Sequence, residues 1–200
     1  MIDLRPIPPA EGPPVAEPVT LAEARAHLRL DGEVGDDPLE DAAILSLITA
    51  ARQAAEDFTA RIFTASRYEL RVDAFATRIP FPVAPVRSVQ SIAYVDPAGA
   101  TQAFDTDNYW FYDHPDAPAL LAMPGVSLPT VLDMPGTVRI AFTGGHDAAN
   151  PVPRAVVQAI LLIIGHLHEN RQDVVTSTTA QDLPQGSRAL LWPYRRELGV

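Results

Sequence analysis

The chain has 200 residues, of which 47% are hydrophobic and 20% are charged, a composition that predicts a folded domain and not a disordered chain. It contains no cysteine, which excludes disulfides, thiolate metal sites and cysteine catalysis. The net charge is −10, and the first 60 positions carry twelve acidic residues against four arginines. Tight, general DNA binding requires neutralisation of phosphates, so this charge disfavours a protein that grips DNA.

The chain begins with a proline-rich segment, residues 1–18, which holds six prolines between positions 5 and 18. Proline fixes φ and removes a hydrogen-bond donor, so we expect an extended polyproline II arm and neither helix nor sheet. The arm either lies along a neighbouring subunit or has no fixed structure. Because no basic region precedes an apolar stretch and no apolar run reaches about twenty residues, we expect a soluble, non-exported chain without a membrane span.

Two helices are predicted next. Thr20 and Glu23 form a capping-box pattern, which starts the first helix, and Asp31 with Gly32 ends it. Asp37 is the predicted N-cap of the second helix, with Pro38 in its first turn. The apolar positions of the second helix recur at helical spacing: Ile44, Leu47, Ile48, Ala51, Ala55, Phe58 and Ile62. Asp41, Glu56 and Asp57 are assigned to its polar face.

The middle of the chain favours strands. Alternating or β-branched runs predict strands near 68–72, 89–95, 108–112, 119–122 and 137–143, with a turn at 96–99. Gly144 and Gly145 close this part, which we interpret as an antiparallel unit. A third helix of about residues 153–171 is apolar on nearly all sides from 155 to 164, which predicts a buried central helix.

The C-terminal part combines a polar stretch at 172–189, expected to be a loop, with a short apolar, aromatic and basic segment. Aromatic residues beside arginines are typical of interface anchors. The segment either anchors the chain to a partner or folds back onto its own core. Its candidate interface residues are Leu190, Leu191, Trp192, Tyr194, Arg195 and Arg196.

Together these elements predict an α+β protein: a helical bundle core of three main helices plus a short C-terminal helix, with an inserted antiparallel β unit. The expected organisation is an arm at 1–18, a helical core from 19–65 and 146–172, and a β-rich insertion at 66–145. A flexible segment and C-terminal anchor occupy 173–200.

Candidate catalytic or metal-binding residues are sparse. His166 and His168 are two positions apart on a helix and point in different directions, whereas metal pairs need a spacing of three or four. His166 and Glu169 have that spacing, and a third ligand such as His146 is not evident. No nucleophile, base and oxyanion donors assemble in the sequence. We therefore expect no enzyme activity, no cofactor and no metal.

The order of segments resembles the head–tail connector (adaptor) family of tailed phages, which includes adaptors of gene transfer agents. The matching motifs are VTLxEA at 19–24, HLRLD at 27–31, IxxLIxAAR at 44–52, AExFTxR at 55–61, PVxSVxSIxY at 85–94 with Asp96 and Gly99, FTGG at 142–145, HxxENR at 166–171 and LLxPYR at 190–195. Each motif alone is ordinary, and their order and spacing together carry the resemblance.

The resemblance implies a non-enzymatic virion protein: a ring, typically of twelve subunits, docked beneath the portal protein at the head–tail junction. Its opposite side would receive a tail-completion (stopper) protein, DNA would pass through the channel without being gripped, and assembly would occur in the bacterial cytoplasm. The C-terminal segment would reach the portal. We further expect Asp41, Glu56 and Asp57 to face the channel, where they would repel DNA.

Two alternatives stay open at this point. One is a small enzyme or metal-binding protein that uses His166, Glu169 and His146. The other is a different tail-completion protein with a similar helical core.

Overall fold

The computed structural model describes residues 2–7, 16–170 and 183–196. It confirms the α+β class and divides the chain into two units. The helical unit comprises residues 16–63 and the described residues from 147 onward, and the β unit comprises residues 64–146 with the described residues at the N-terminus. Within the described residues, no helix is long and apolar enough to cross a membrane.

The helical unit contains four α-helices. Their bounds are Leu21–Leu28 (α1), Pro38–Thr59 (α2), Arg154–Glu169 (α3) and Gln185–Leu191 (α4), and a short 3₁₀ helix, Trp192–Tyr194, follows α4. The predicted capping box is confirmed, because the Thr20 side chain accepts from the Glu23 N–H and Glu23 accepts from the Thr20 N–H. Asp37 caps α2 through the N–H groups of Leu39 and Glu40.

The core of the helical unit lies where α2, α3 and α4 meet. No apolar residue of α3 between 155 and 165 is exposed, which confirms the predicted burial of this helix. The buried members of the core are Val19, Ala24, Ile44, Ile48, Ala51, Ala55, Phe63, Val156, Ala159, Ile160, Ile163, Ile164 and Leu191.

The β unit contains eight strands in two antiparallel sheets. The strands are Ile2–Ile7 (β1), Ser66–Val72 (β2), Arg78–Pro80 (β3), Val86–Val95 (β4), Thr101–Phe104 (β5), Tyr109–Tyr112 (β6), Ala119–Ala122 (β7) and Val138–Gly144 (β8). The five-stranded sheet has the order β1-β2-β8-β4-β5, and the three-stranded sheet has the order β3-β7-β6.

Both sheets of the β unit share one core. Along β8, Val138, Ile140 and Phe142 are fully buried while the residues between them are not, which is the period-2 pattern of a half-buried strand. Phe81, which follows β3, packs edge-to-face on Phe142 with ring centroids 4.9 Å apart. The turn after β8 requires glycine, because a Cβ at Gly145 would lie 2.0 Å from the Thr64 carbonyl oxygen.

The structure corrects four expectations about secondary structure. The start of the proline-rich segment is a strand, β1, which pairs with β2 at the edge of its sheet, the position in a sheet where proline is tolerated. Residues 8–15, the rest of the predicted arm, lie outside the described residues. The short strands β3 and β5 were not predicted, and residues 185–189 of the expected polar loop belong to α4.

Candidate interaction surfaces

The C-terminal segment folds onto the helical unit of the same chain. Leu191 is fully buried in the helical core, and Leu190 and Tyr194 pack against that core. Arg196 is buried as well, and its N–H donates to the Thr59 carbonyl at 3.0 Å. The fold-back alternative is therefore the observed one, and four of the six candidate anchor residues contribute to the chain's own packing.

An exposed surface remains where this segment meets α2. It is formed by Arg188, Trp192 and Arg195 with the half-buried Phe58 of α2, and we call it the basic aromatic surface. The Arg195 guanidinium lies 5.7 Å from the Phe58 ring centroid and 5.6 Å from that of Trp192. Arg188 approaches Phe58 to 6.0 Å. These cation–π contacts hold two positive charges over an aromatic base. Trp192 is 56% exposed, so much of its indole is free to contact a partner.

A hollow of about 370 Å³ adjoins the basic aromatic surface, lined by Leu183, Gln185, Arg188, Ala189 and Trp192. Sequence reasoning identified Trp192 and Arg195 but missed Arg188, which it placed in a loop.

The acidic residues of α2 differ in their surroundings. Asp41 is only 7% exposed and accepts a 2.6 Å hydrogen bond from Arg25 Nη1 and a 2.7 Å hydrogen bond from the Gly35 N–H. It therefore does not lie on an exposed face of α2. The sequence carried the signal, because Asp41 is three residues before Ile44 and thus on the apolar side of the helix.

Glu56 also makes its contacts within the helical unit. It accepts from the Phe63 N–H at 2.7 Å and forms an ion pair with Arg52, one turn earlier. Burial raises the pKa of Glu56 above its ordinary value, although the Phe63 N–H and Arg52 act in the opposite direction. Of the three predicted channel-facing acids, only Asp57 is exposed.

The histidines of the metal-binding alternative do not gain a ligand set. His166 lies at the end of α3, where its carbonyl accepts from the side-chain amide of Asn170 at 2.9 Å. Within the residues that the structure describes, no three histidine, cysteine or acidic side chains gather where they could hold a metal ion.

The β unit presents a second exposed aromatic surface, which sequence reasoning missed. The outward side of the three-stranded sheet and the residues next to it carry Trp110, Tyr112, His114, Leu121 and Met123. We call these five residues the acidic aromatic surface, because aspartates lie around them in the sequence. Trp110 is 57% exposed. The opposite side of the sheet is covered, since Ile79 and Leu120 are almost fully buried.

Comparison with known proteins gives three similar solved structures. A chain in the neck of an empty gene transfer agent (GTA) particle, computed with C6 symmetry, superposes with a TM-score of 0.79 at 28% identity, covering 99% of this chain and 97% of that one. A chain in the virion of a native GTA particle gives 0.76 at 28% identity, with 98% and 97% covered. A chain in the native GTA neck, computed with C12 symmetry, gives 0.71 at 27% identity, with 93% and 97% covered.

No protein-family model matches the chain, and no curated protein matches it either. Because each of the three structural matches covers at least 93% of this chain, the similarity to chains of GTA particles spans both units.

Proposed function

We propose that this chain is a structural protein of the neck of a phage-like particle of the gene transfer agent type, and that it serves there as the head–tail adaptor. The observation that carries the proposal is the near-complete coverage, at 28% identity, of a chain from a GTA neck. A shared fold alone would not support a function, but here both units and their order are matched together.

The proposed assembly is a ring. The similar chains come from necks computed with sixfold and twelvefold symmetry, which supports a closed ring, and we propose twelve copies. The ring would lie between the portal protein and a tail-completion protein, with DNA passing through its channel. We propose a mechanical role without catalysis.

The basic aromatic surface is the proposed contact with the portal. Of the six C-terminal residues considered as an anchor, only the exposed Trp192 and Arg195 belong to this proposed contact. Arg188 and Phe58, which make cation–π contacts there, complete it. Tryptophan and arginine dominate the binding energy of many protein interfaces, and here they are held in place before binding. Asp57 is the remaining candidate for the channel wall.

The proposal is tested with heads purified from a strain that lacks this protein. Full-length wild-type chain should bind these heads and restore tail attachment. Arg195→Glu should weaken binding to heads about 30-fold or more, because it inverts a charge in the centre of the contact. Met134→Ser is the matched control, since Met134 is similarly exposed (58%) but lies in the β unit. Wild-type chain that binds tails but not heads would point to the other tail-completion role.

A further inference from the structure

The acidic aromatic surface has aspartates along its β6 edge, while Arg78 faces outward on β3, beside Leu121, at the opposite edge. From residue 88 to 138 the sequence has six aspartates and no arginine or lysine. Asp107 and Asp113, at the two ends of β6, are exposed and form no ion pair with any residue that the structure describes. An exposed tryptophan and methionine beside these aspartates favour a partner that offers arginines to the β6 edge and a surface on which a large side chain can lie.

The acidic aromatic surface is also ordered before any partner binds. Trp110 contacts Tyr112 with ring centroids 5.8 Å apart, and Tyr112 stacks on His114 at 5.6 Å with nearly parallel rings. His114 Nδ1 accepts from the N–H groups of Asp116 at 3.2 Å and Ala117 at 3.1 Å, which fixes the imidazole. A fixed aromatic ladder loses little side-chain freedom on binding.

The outward side of the five-stranded sheet has the opposite character. On β4 and β8 its exposed or half-buried positions carry the small side chains of Ser88, Ser91, Ala93, Ala141 and Thr143. Beside them lie three arginines, Arg67 and Arg71 on β2 and Arg139 on β8. Arg71 and Arg139 are direct cross-strand partners, which is unfavourable for like charges. Glu69 forms an ion pair with Arg71, and Asp3 on β1 is a further cross-strand neighbour of Arg71, whereas Arg139 forms no ion pair in the described part of the chain.

We propose that the acidic aromatic surface of one copy docks on this arginine-bearing sheet face of the next copy. Large rings would lie on the small side chains of β4 and β8, and Asp107 and Asp113 would approach Arg67 and Arg139. The two surfaces are different patches, so the contact is heterologous, the kind that propagates around a ring. The inference rests on the proposed ring and assigns the contact between its subunits.

The absence of cysteine makes this contact testable by cross-linking at chosen positions. Met123→Cys places a thiol at the acidic aromatic surface, and Ser91→Cys places one on the sheet face. With a short bismaleimide, full-length chain that carries both cysteines should give a ladder of covalent oligomers on heads and in concentrated solution. Each single-cysteine variant should give no covalent oligomer, and an equimolar mixture of the two should give covalent dimers and nothing larger.

Added substitutions separate this contact from other contacts. Trp110→Ser or Arg139→Glu, in the double-cysteine chain, should reduce the ladder about tenfold or more, whereas Met134→Ser, at a similarly exposed position of the β unit, should leave it within about twofold. Self-cross-linking of a single-cysteine variant, or an unchanged ladder with Trp110→Ser, would overturn the proposal. A chain that binds heads but gives no ladder refutes this inference alone, and a ladder without binding to heads refutes the proposed adaptor alone.

Discussion

The two tryptophans with exposed side chains, Trp110 and Trp192, are equally accessible and differ in everything around them. Trp192 stands in the helical unit beside Arg188 and Arg195, and Trp110 stands in the β unit among aspartates. Exposure alone identifies both as interaction candidates. The surrounding charge then assigns them to partners of opposite character, which in our account are the portal for Trp192 and the next subunit for Trp110.

Two acids of the helical unit and two of the β unit show a related contrast. In the helical unit, Asp41 and Glu56 are used in ion pairs and backbone hydrogen bonds, so they stabilise the fold. In the β unit, Asp107 and Asp113 have exposed carboxylates. A count of acidic residues therefore says little about function until their partners are known.

The largest expected effect sharpens this division of the acids. Asp41→Asn should lower the free energy of unfolding by about 2 kcal/mol, because the buried Arg25 guanidinium loses the nearer and more buried of its two carboxylate partners and keeps only Glu40. Asp113→Asn should change the same quantity by less than about 0.5 kcal/mol. Urea unfolding followed by circular dichroism measures both. Equal losses in the two variants would show that the acids of the two units are not divided in this way.

The second prediction can break the comparison of the tryptophans. Trp192→Ser should weaken the binding of single copies to heads about tenfold or more, and Trp110→Ser should change it less than about twofold. Binding is measured at chain concentrations too low for contacts between copies. If both variants weaken head binding equally, the two surfaces do not have separate partners.

The smallest expected effect concerns Glu56. Burial raises the pKa of Glu56, so the folded state holds this proton more tightly than the unfolded chain does. The protonated Glu56 side chain therefore contributes to the free energy of unfolding below its ordinary pKa, and this contribution is lost as the pH rises through the raised pKa.

Glu56→Gln removes that titration. Wild-type stability should therefore fall relative to the Gln variant as the pH rises above the ordinary pKa of Glu56, by a small amount because Arg52 and the Phe63 N–H offset the burial. Urea unfolding of both proteins at several pH values checks the sign. A wild-type chain that gains stability relative to the variant over this range would contradict it.

Local sequence signals predicted the helices well. A capping box, an Asp-Pro start and a regular apolar period act within a few residues, and each was found where expected. The short strands β3 and β5 have no such local signal, because pairing with distant residues stabilises them. Strand β6 was predicted, but its exposed side depends on β7 and β3, so the acidic aromatic surface was not.

The basic aromatic surface was also predicted only in part, because only some of its residues are signalled by local sequence. The composition of the C-terminal segment identified Trp192 and Arg195, but composition does not tell which residues of a short helix turn inward. Leu191 and Tyr194 were assigned to a partner and instead pack on the core of the helical unit. Their role followed only from the meeting of α4 with α2 and α3, residues far apart in sequence.

Electron cryomicroscopy of assembled particles that contain this chain tests the central claim most directly. The account predicts density for this chain as a ring of twelve copies at one vertex, between the portal and the tail. Trp192 should face the portal, and Trp110 should face the adjacent copy. Particles that lack this chain, or that hold it away from the neck, would contradict the account.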